Sequence, residues 1–315
     1  MKLGMVFPGQ GSQSVGMMSA YGDSPVIRET LDEASDALGL DMARLIAEGP
    51  VEELARTVNT QPVMVTAGVA AYRLWQSLGG VEPEYLAGHS LGEYSALVVA
   101  GAISFADCLP LVRLRGQAMQ EAVPAGTGAM AAILGLDDAL VREACATCPA
   151  GEVAEAVNFN SPGQVVIAGS ARGVELAIEA CKARGAKRAV LLPVSAPFHS
   201  SLMKPAAERL AVALQSVQIT PPRIPVIHNV DVQSHAEPDA IRAALVAQAD
   251  HPVRWVECIQ AMAACGVSQI YECGPGKVLA PQSKRIDATL TGLALVDLAA
   301  IEQGIAQWRL LQASP

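Results

Sequence analysis

The pentapeptide Gly88-His89-Ser90-Leu91-Gly92 constrains this chain more than any other stretch. A short apolar run, Tyr85-Leu86-Ala87, leads into it, and residues 93–100 read as a helix closed by Gly101. The pattern predicts a strand, a sharp turn with serine at its apex, and a helix. Two glycines permit backbone angles and close approaches that side-chain-bearing residues resist. Such a turn exposes the hydroxyl and aims it at a helix N-terminus, whose free N–H groups can stabilise an oxyanion. Ser90 is therefore a candidate nucleophile. Gly-rich turns before helices also occur as plain structure, so the rest of the chain has to supply partners for it.

Along the chain, strand and helix signals alternate. Residues 2–7 form a short apolar strand ending in the loop Pro8-Gly9-Gln10-Gly11-Ser12-Gln13. Pro62 suits the first turn of a helix over 62–78, stopped by Gly79-Gly80. Further strands are expected at 225–230, 268–272 and 292–296. Strands separated by helices predict an α/β fold with a short parallel sheet covered on both faces. Residues 125–194 follow another order: strand 129–134, helix 137–148, strands 153–158 and 164–168 around Asn160-Ser161-Pro162-Gly163, helix 174–184 and strand 188–192. This βαββαβ order is that of a ferredoxin-like unit. The expected division is a hydrolase-like catalytic domain, 1–124 and 198–315, with an inserted ferredoxin-like subdomain, 125–197.

Composition narrows what the serine can serve. With 315 residues the chain can bury a full core. Its apolar runs are broken by Gly, Ser and Asp before they reach the ~18 residues of a membrane span, and Pro8-Gly9 leaves no room for a signal-peptide core. The net charge of −9 argues against general nucleic-acid or membrane binding and means that an anionic substrate needs a local basic site. Seven scattered cysteines, an odd number, fit reduced thiols in a cytoplasmic protein.

A nucleophilic serine needs a base, and five histidines compete. His89 is adjacent, but its side chain should leave the turn in another direction; His228, His235 and His251 lack a surrounding motif. His199 follows Ser195-Ala196-Pro197-Phe198 at the exit from the 125–197 unit, facing the core domain. An imidazole near its neutral pKa can take the serine proton and return it to a leaving group. Gln10, between two glycines at the end of the first strand, can present its N–H at the sheet's C-terminal edge. Arg115 lies in the helix after the elbow. Most helix arginines are solvated, but an enzyme that handles a carboxylate can use a guanidinium's two parallel hydrogen bonds.

With Gln10, Ser90, Arg115 and His199 together, the chain resembles the malonyl-CoA:acyl carrier protein transacylases of fatty-acid synthesis. The motifs are FPGQGSQ (7–13), GHSLGEYSAL (88–97), RGQAMQEAVPAGTGAMAAILGL (115–136), NFNSPGQVVIAG (158–169) and GPGKVL (274–279). The resemblance covers nearly the whole chain. It implies that Ser90 carries the malonyl ester, that His199 is the base and that the Gln248 backbone carbonyl accepts a hydrogen bond from it. It also implies an oxyanion hole from the N–H groups of Gln10 and Leu91, and an acyl pocket with Arg115, Met119, Asn160 and Phe198. The bulk of Phe198 would disfavour an α-methyl branch, a discrimination worth ~1–3 kcal/mol. The implied partners are malonyl-CoA and holo acyl carrier protein, with no metal or bound cofactor, acting on a monomer. The acidic carrier would dock on Lys187 and Arg188, within a cluster that includes Lys182 and Arg184, or on Lys284 and Arg285.

Other patterns fail on inspection. Gly9-Gln10-Gly11 begins a dinucleotide fingerprint, but Ser14 stands where its third glycine belongs. Gly276-Lys277 lacks the remainder of a P-loop, and Cys145-Ala146-Thr147-Cys148 has no second pair to complete a zinc site. A serine thioesterase and a non-enzymatic carrier-binding module are the competing classes. Arg115 and a missing acidic partner for the base argue against the first, the intact Ser90 and His199 against the second. Acyltransferases serving a polyketide synthase or a malonate decarboxylase share the same residues.

Overall fold

The structure, a computed structural model, describes residues 1–194 and 196–313; Ser195, which the sequence places on the approach to His199, lies outside them. Nine strands run through the described residues: β1 (Lys2–Phe7), β2 (Tyr85–Gly88), β3 (Gly128–Leu134), β4 (Ala154–Ser161), β5 (Gln164–Ser170), β6 (Arg188–Leu191), β7 (Val226–Ile227), β8 (Val267–Cys273) and β9 (Thr291–Leu295). Five make one parallel sheet in the order β7-β2-β1-β8-β9. Its central strand, Leu-Gly-Met-Val-Phe after Lys2, is buried along its length, as expected of a strand covered on both faces. The chain steps from β1 to β2 on one side and later to β8 on the other. The crevice at the carboxyl ends of β1 and β2 is therefore a switch point of the kind where α/β sheets bind ligands.

The helix Thr57–Ser77 is the backbone of the main core that also holds Phe7, and its Trp75 meets Tyr271 edge-on at 5.7 Å between ring centroids. It starts five residues before the expected position, leaving Pro62 inside it. Polar residues 59–61 resemble a loop in sequence, yet their side chains extend the helix. Thr60 Oγ1 donates to Leu54 O at 2.7 Å, and Asn59 Nδ2 donates to Glu53 O at 2.9 Å. These bonds to the preceding turn offset the interruption that an interior proline causes.

The other four strands form an antiparallel sheet in the order β4-β5-β3-β6, with the helices Asp138–Ala146 and Ala171–Ala183 packed on a core of their own. The turn between β4 and β5 is shorter than expected, because Ser161 pairs with Gln164 and only Pro162-Gly163 remain outside the ladder. Gly163, at φ 71°, supplies the left-handed position this tight turn needs. Asn160 accordingly stands on a strand rather than a loop. The strand expected at 225–230 shrinks to Val226–Ile227, since His228 and Asn229 leave the ladder to bond elsewhere.

Candidate active site

β2 ends at Gly88 and the helix Gly92–Val99 begins four residues later, so the chain reverses within the elbow. The tightness is steric: a Cβ on Gly88 would lie 1.8 Å from the carbonyl carbon of Gly92, and one on Gly92 would lie 2.1 Å from Phe7 O. Ser90 sits at φ 51°, an angle that costs a side-chain-bearing residue energy. Asn229 holds that turn from both sides. Its Oδ1 accepts from Ser90 N–H at 2.8 Å while its Nδ2 donates to Gly88 O at 2.8 Å.

Ser90 Oγ lies 2.7 Å from His199 Nε2, and His199 Nδ1 lies 2.8 Å from Gln248 O. A backbone carbonyl can only accept, so Nδ1 carries a proton and Nε2 is left as the acceptor for the serine hydroxyl. His199, itself at φ 64°, is only 3% exposed. Burial, then the nearby Arg115 charge, pushes its imidazole down to about 3, against the opposing pull of the Gln248 carbonyl. A desolvated ring beside a cation resists a second charge.

Arg115 is 2% exposed, on the helix Phe105–Glu121. Its Nη1 donates to Gln61 Oε1 at 2.9 Å, and its Nη2 donates to Gln248 Oε1 at 2.9 Å and to Ser90 Oγ at 3.2 Å. No carboxylate pairs with it among the described residues, and its Nε has no acceptor. Burial lowers its affinity for the proton, offset in part by Tyr94 and Glu93. The nearest acid, Glu93, is already engaged: its Oε1 lies 2.7 Å from His228 Nδ1. Burial opposes a charge on His228, but the Glu93 carboxylate outweighs it and raises the ring above its ordinary value. No acid among the described residues bonds the guanidinium directly, and it stands as a buried cation in contact with Ser90 Oγ.

These groups open into a cavity of about 670 Å³, lined among others by Gln10, Leu91, Met119, Asn160 and Phe198. All the acyl-pocket residues expected from sequence therefore meet in one place. The N–H groups of Gln10 and Leu91 donate to no acceptor among the described residues. Phe198 packs between Met119 and Met130. His89, set aside in the sequence, also lines the cavity and lies 2.7 Å from Asn160 Oδ1 through its Nε2. Gln61, Glu93, His228 and Asn229 were not expected at the site. Lys187, Arg188, Lys284 and Arg285 are exposed and lie outside the cavity.

A family model described as an acyl transferase domain matches residues 5–285. This chain belongs to that family. It is 57% identical over 297 residues to the malonyl CoA-acyl carrier protein transacylase of Escherichia coli K12, covering 94% of this chain and 96% of the relative. The acyl-carrier-protein S-malonyltransferase of Burkholderia pseudomallei 1710b is 60% identical, superposing with a TM-score of 0.95 over 97% of this chain and 100% of that one. A malonyl-transacylase solved with its type II PKS acyl-carrier protein is 50% identical, with a TM-score of 0.96 over 98% of this chain and 100% of that one. The acyl transferase fold thus extends over both sheets, and no helix among the described residues is long and apolar enough to cross a membrane.

Proposed function

We propose that this acyltransferase moves the malonyl group from malonyl-CoA to the phosphopantetheine thiol of acyl carrier protein through an ester on Ser90, supplying units for fatty-acid synthesis. The observation that carries the proposal is the buried Arg115 guanidinium, without a carboxylate partner and with Nη2 3.2 Å from Ser90 Oγ. A desolvated cation in contact with a nucleophile calls for an anionic acyl group, which a hydrolase of neutral esters does not have.

In the first half-reaction, Ser90 Oγ attacks the thioester carbon as His199 Nε2 takes its proton. The N–H groups of Gln10 and Leu91 hold the oxyanion, and the Gln248 carbonyl holds the imidazolium in place. His199 returns the proton to the departing CoA sulfur. The carrier thiol then gives its proton to His199 and attacks the ester, and Ser90 regains its hydrogen. The substrate carboxylate also offsets the Arg115 charge that suppresses His199, so the base strengthens once malonyl is bound. Met119, Asn160 and Phe198 shape the pocket, with Phe198 opposing an α-methyl branch. The thioester is itself the activated group, so the scheme calls on no cofactor.

We assign 1–124 and 198–315 to the catalytic unit and 125–197 to an inserted ferredoxin-like unit; β3 to β6 form a sheet of their own, joined to the rest of the described residues by a single bridge from Asn158 to Val253, which supports this division. The carrier is assigned to the exposed Lys187, Arg188, Lys284 and Arg285, none of which pairs with a carboxylate among the described residues. The seven free thiols suit a cytoplasmic protein, and we take the enzyme to act as a monomer. A second reading, service to a polyketide synthase, is favoured by the likeness to the transacylase solved with a type II PKS carrier. Intact-protein mass spectrometry with malonyl-CoA, then with each holo carrier, tests both. The expected result is a malonyl adduct, absent in Ser90→Ala, that passes to the carrier. An adduct lost only to water would overturn transacylation.

A further inference from the structure

The side chain of Gln248 does something its backbone role does not require. Its Oε1 accepts from Arg115 Nη2 at 2.9 Å, while its Nε2 donates to Glu93 Oε2 at 2.9 Å and to Ser90 O at 2.9 Å. An amide rotated by half a turn would present its NH₂ group to the guanidinium, donor against donor. It would also turn its oxygen toward the Glu93 carboxylate and the Ser90 carbonyl, acceptor against acceptors. Only one orientation satisfies these neighbours, and a carboxylate is the strongest acceptor among them. Glu93 is fully buried and fixed in turn by His228 Nδ1 at 2.7 Å and by Asn229 N–H at 2.9 Å. A continuous hydrogen-bonded chain thus runs from His228 through Glu93 and Gln248 to Arg115.

We propose that Glu93 is a positioning residue for substrate choice: held by His228, it fixes the Gln248 amide so that the amide oxygen faces Arg115 and aims the guanidinium at the substrate's carboxylate. Glu93 touches no reacting atom. Its effect reaches the substrate through the angle of the Arg115 fork, and a carboxylate gripped by two parallel hydrogen bonds is sensitive to that angle. The acetyl group has no carboxylate and does not use the fork. This inference rests on the reading of Arg115 as the malonyl grip.

The test is the rate of Ser90 loading by malonyl-CoA and by acetyl-CoA, followed by intact mass in single turnover, with melting curves to confirm folding. Glu93→Met keeps the length and removes the acceptor. It should lower the malonyl-to-acetyl rate ratio by about 10- to 100-fold, the order that a 1 Å misplacement costs. Gln248→Met keeps the carbonyl on His199 and should narrow the ratio as much, and the double variant should narrow it no further. Glu93→Gln should keep the ratio within about threefold, because its amide oxygen can still accept from Gln248 while its NH₂ turns to a neutral His228.

Parallel loss with both substrates, or additive effects in the double variant, would overturn the proposal. If Glu93→Met does not fold, Gln248→Met and Glu93→Gln decide it: the ratio must narrow in the first and hold in the second. An unsubstituted enzyme with no malonyl preference would sink the reading of Arg115 instead, which keeps the two failures distinct.

Discussion

At the scale of single residues, Arg115 makes the sharpest demand. Its guanidinium is organised by two amide oxygens, Gln61 Oε1 and Gln248 Oε1, that orient it without neutralising it. Removing one partner of a desolvated, charge-assisted pair costs ~2–5 kcal/mol, part of it from leaving the other charge unpaired. Arg115→Ala should therefore lower kcat/KM for malonyl-CoA by roughly 30- to 5,000-fold. Acetyl-CoA turnover should not fall with it, so steady-state assays with both substrates should show the preference narrowing or inverting. A parallel fall would assign Arg115 to the fold. Ser90 was legible from its turn and His199 from its place at the exit from 125–197, whereas Arg115, on a helix where most arginines are solvated, was singled out only by the carboxylate it could bind. Gln61, Glu93, His228 and Asn229 were not legible. Each reads as an ordinary polar residue, and its value comes from partners up to 155 positions away, as between Glu93 and Gln248. The one available signal was a buried acid expected at Glu93, in the first turn of an otherwise apolar helix.

At the scale of elements, the sequence located the strands and the helices over 62–78, 93–100, 137–148 and 174–184, but not where they stop. Thr57–Ser77 runs past the proline that should have opened it, held by side-chain bonds to the segment just before it, and β7 ends where His228 turns away to Glu93, 135 positions distant. Elements also place the basic side chains. Arg188 opens β6, which leads directly into Leu192, Pro193 and Val194 on the cavity wall. Lys284 and Arg285 lie on the helix Leu279–Ile286, whose first N–H groups are held by the buried Glu272 carboxylate, with Leu279 N–H at 2.9 Å and Ala280 N–H at 2.8 Å. The loop before that helix lies against Ser12, between the cavity-lining Gly11 and Gln13, since a Cβ on Gly276 would lie 2.6 Å from Ser12 Oγ. Both clusters are thus connected through short segments to the cavity. An acidic carrier meeting an enzyme of net charge −9 needs such local attraction. Arg188→Glu with Lys284→Glu should raise the KM for the carrier severalfold or more at low ionic strength, with the effect fading as salt is added. Malonyl-CoA loading should change less. Equal effects on both half-reactions, or no response to salt, would remove these side chains from docking.

At the scale of the whole molecule, the two sheets enclose the acyl pocket together: Gln10, Ser90, Leu91 and Arg115 come from the parallel part, Met130, Asn158, Asn160 and Val166 from the antiparallel one. That enclosure desolvates His199, and the same desolvation links the site to folding. An unfolded histidine titrates near ~6.5, whereas burial and Arg115 hold His199 at about 3 in the folded protein. Between those values the unfolded chain binds a proton that the folded one refuses, so stability must fall as the pH falls through that window. The His199 contribution is fully present above about 6.5 and is lost toward 3, at ~1.4 kcal/mol per pH unit. His228 has the opposite sign. Its raised folded value adds stability below its unfolded pKa, and this is lost as pH rises through the folded one. The two terms separate by substitution. His199→Gln removes one titrating ring and leaves Glu93 and His228 paired, so it should gain stability relative to the unsubstituted protein as the pH is lowered from about 7 to 4.5. The difference should reach on the order of 2–3 kcal/mol in denaturant midpoints corrected for m. If the difference between the two proteins stays constant across that range, His199 is not held neutral by its surroundings, and the pocket is wetter than its burial implies.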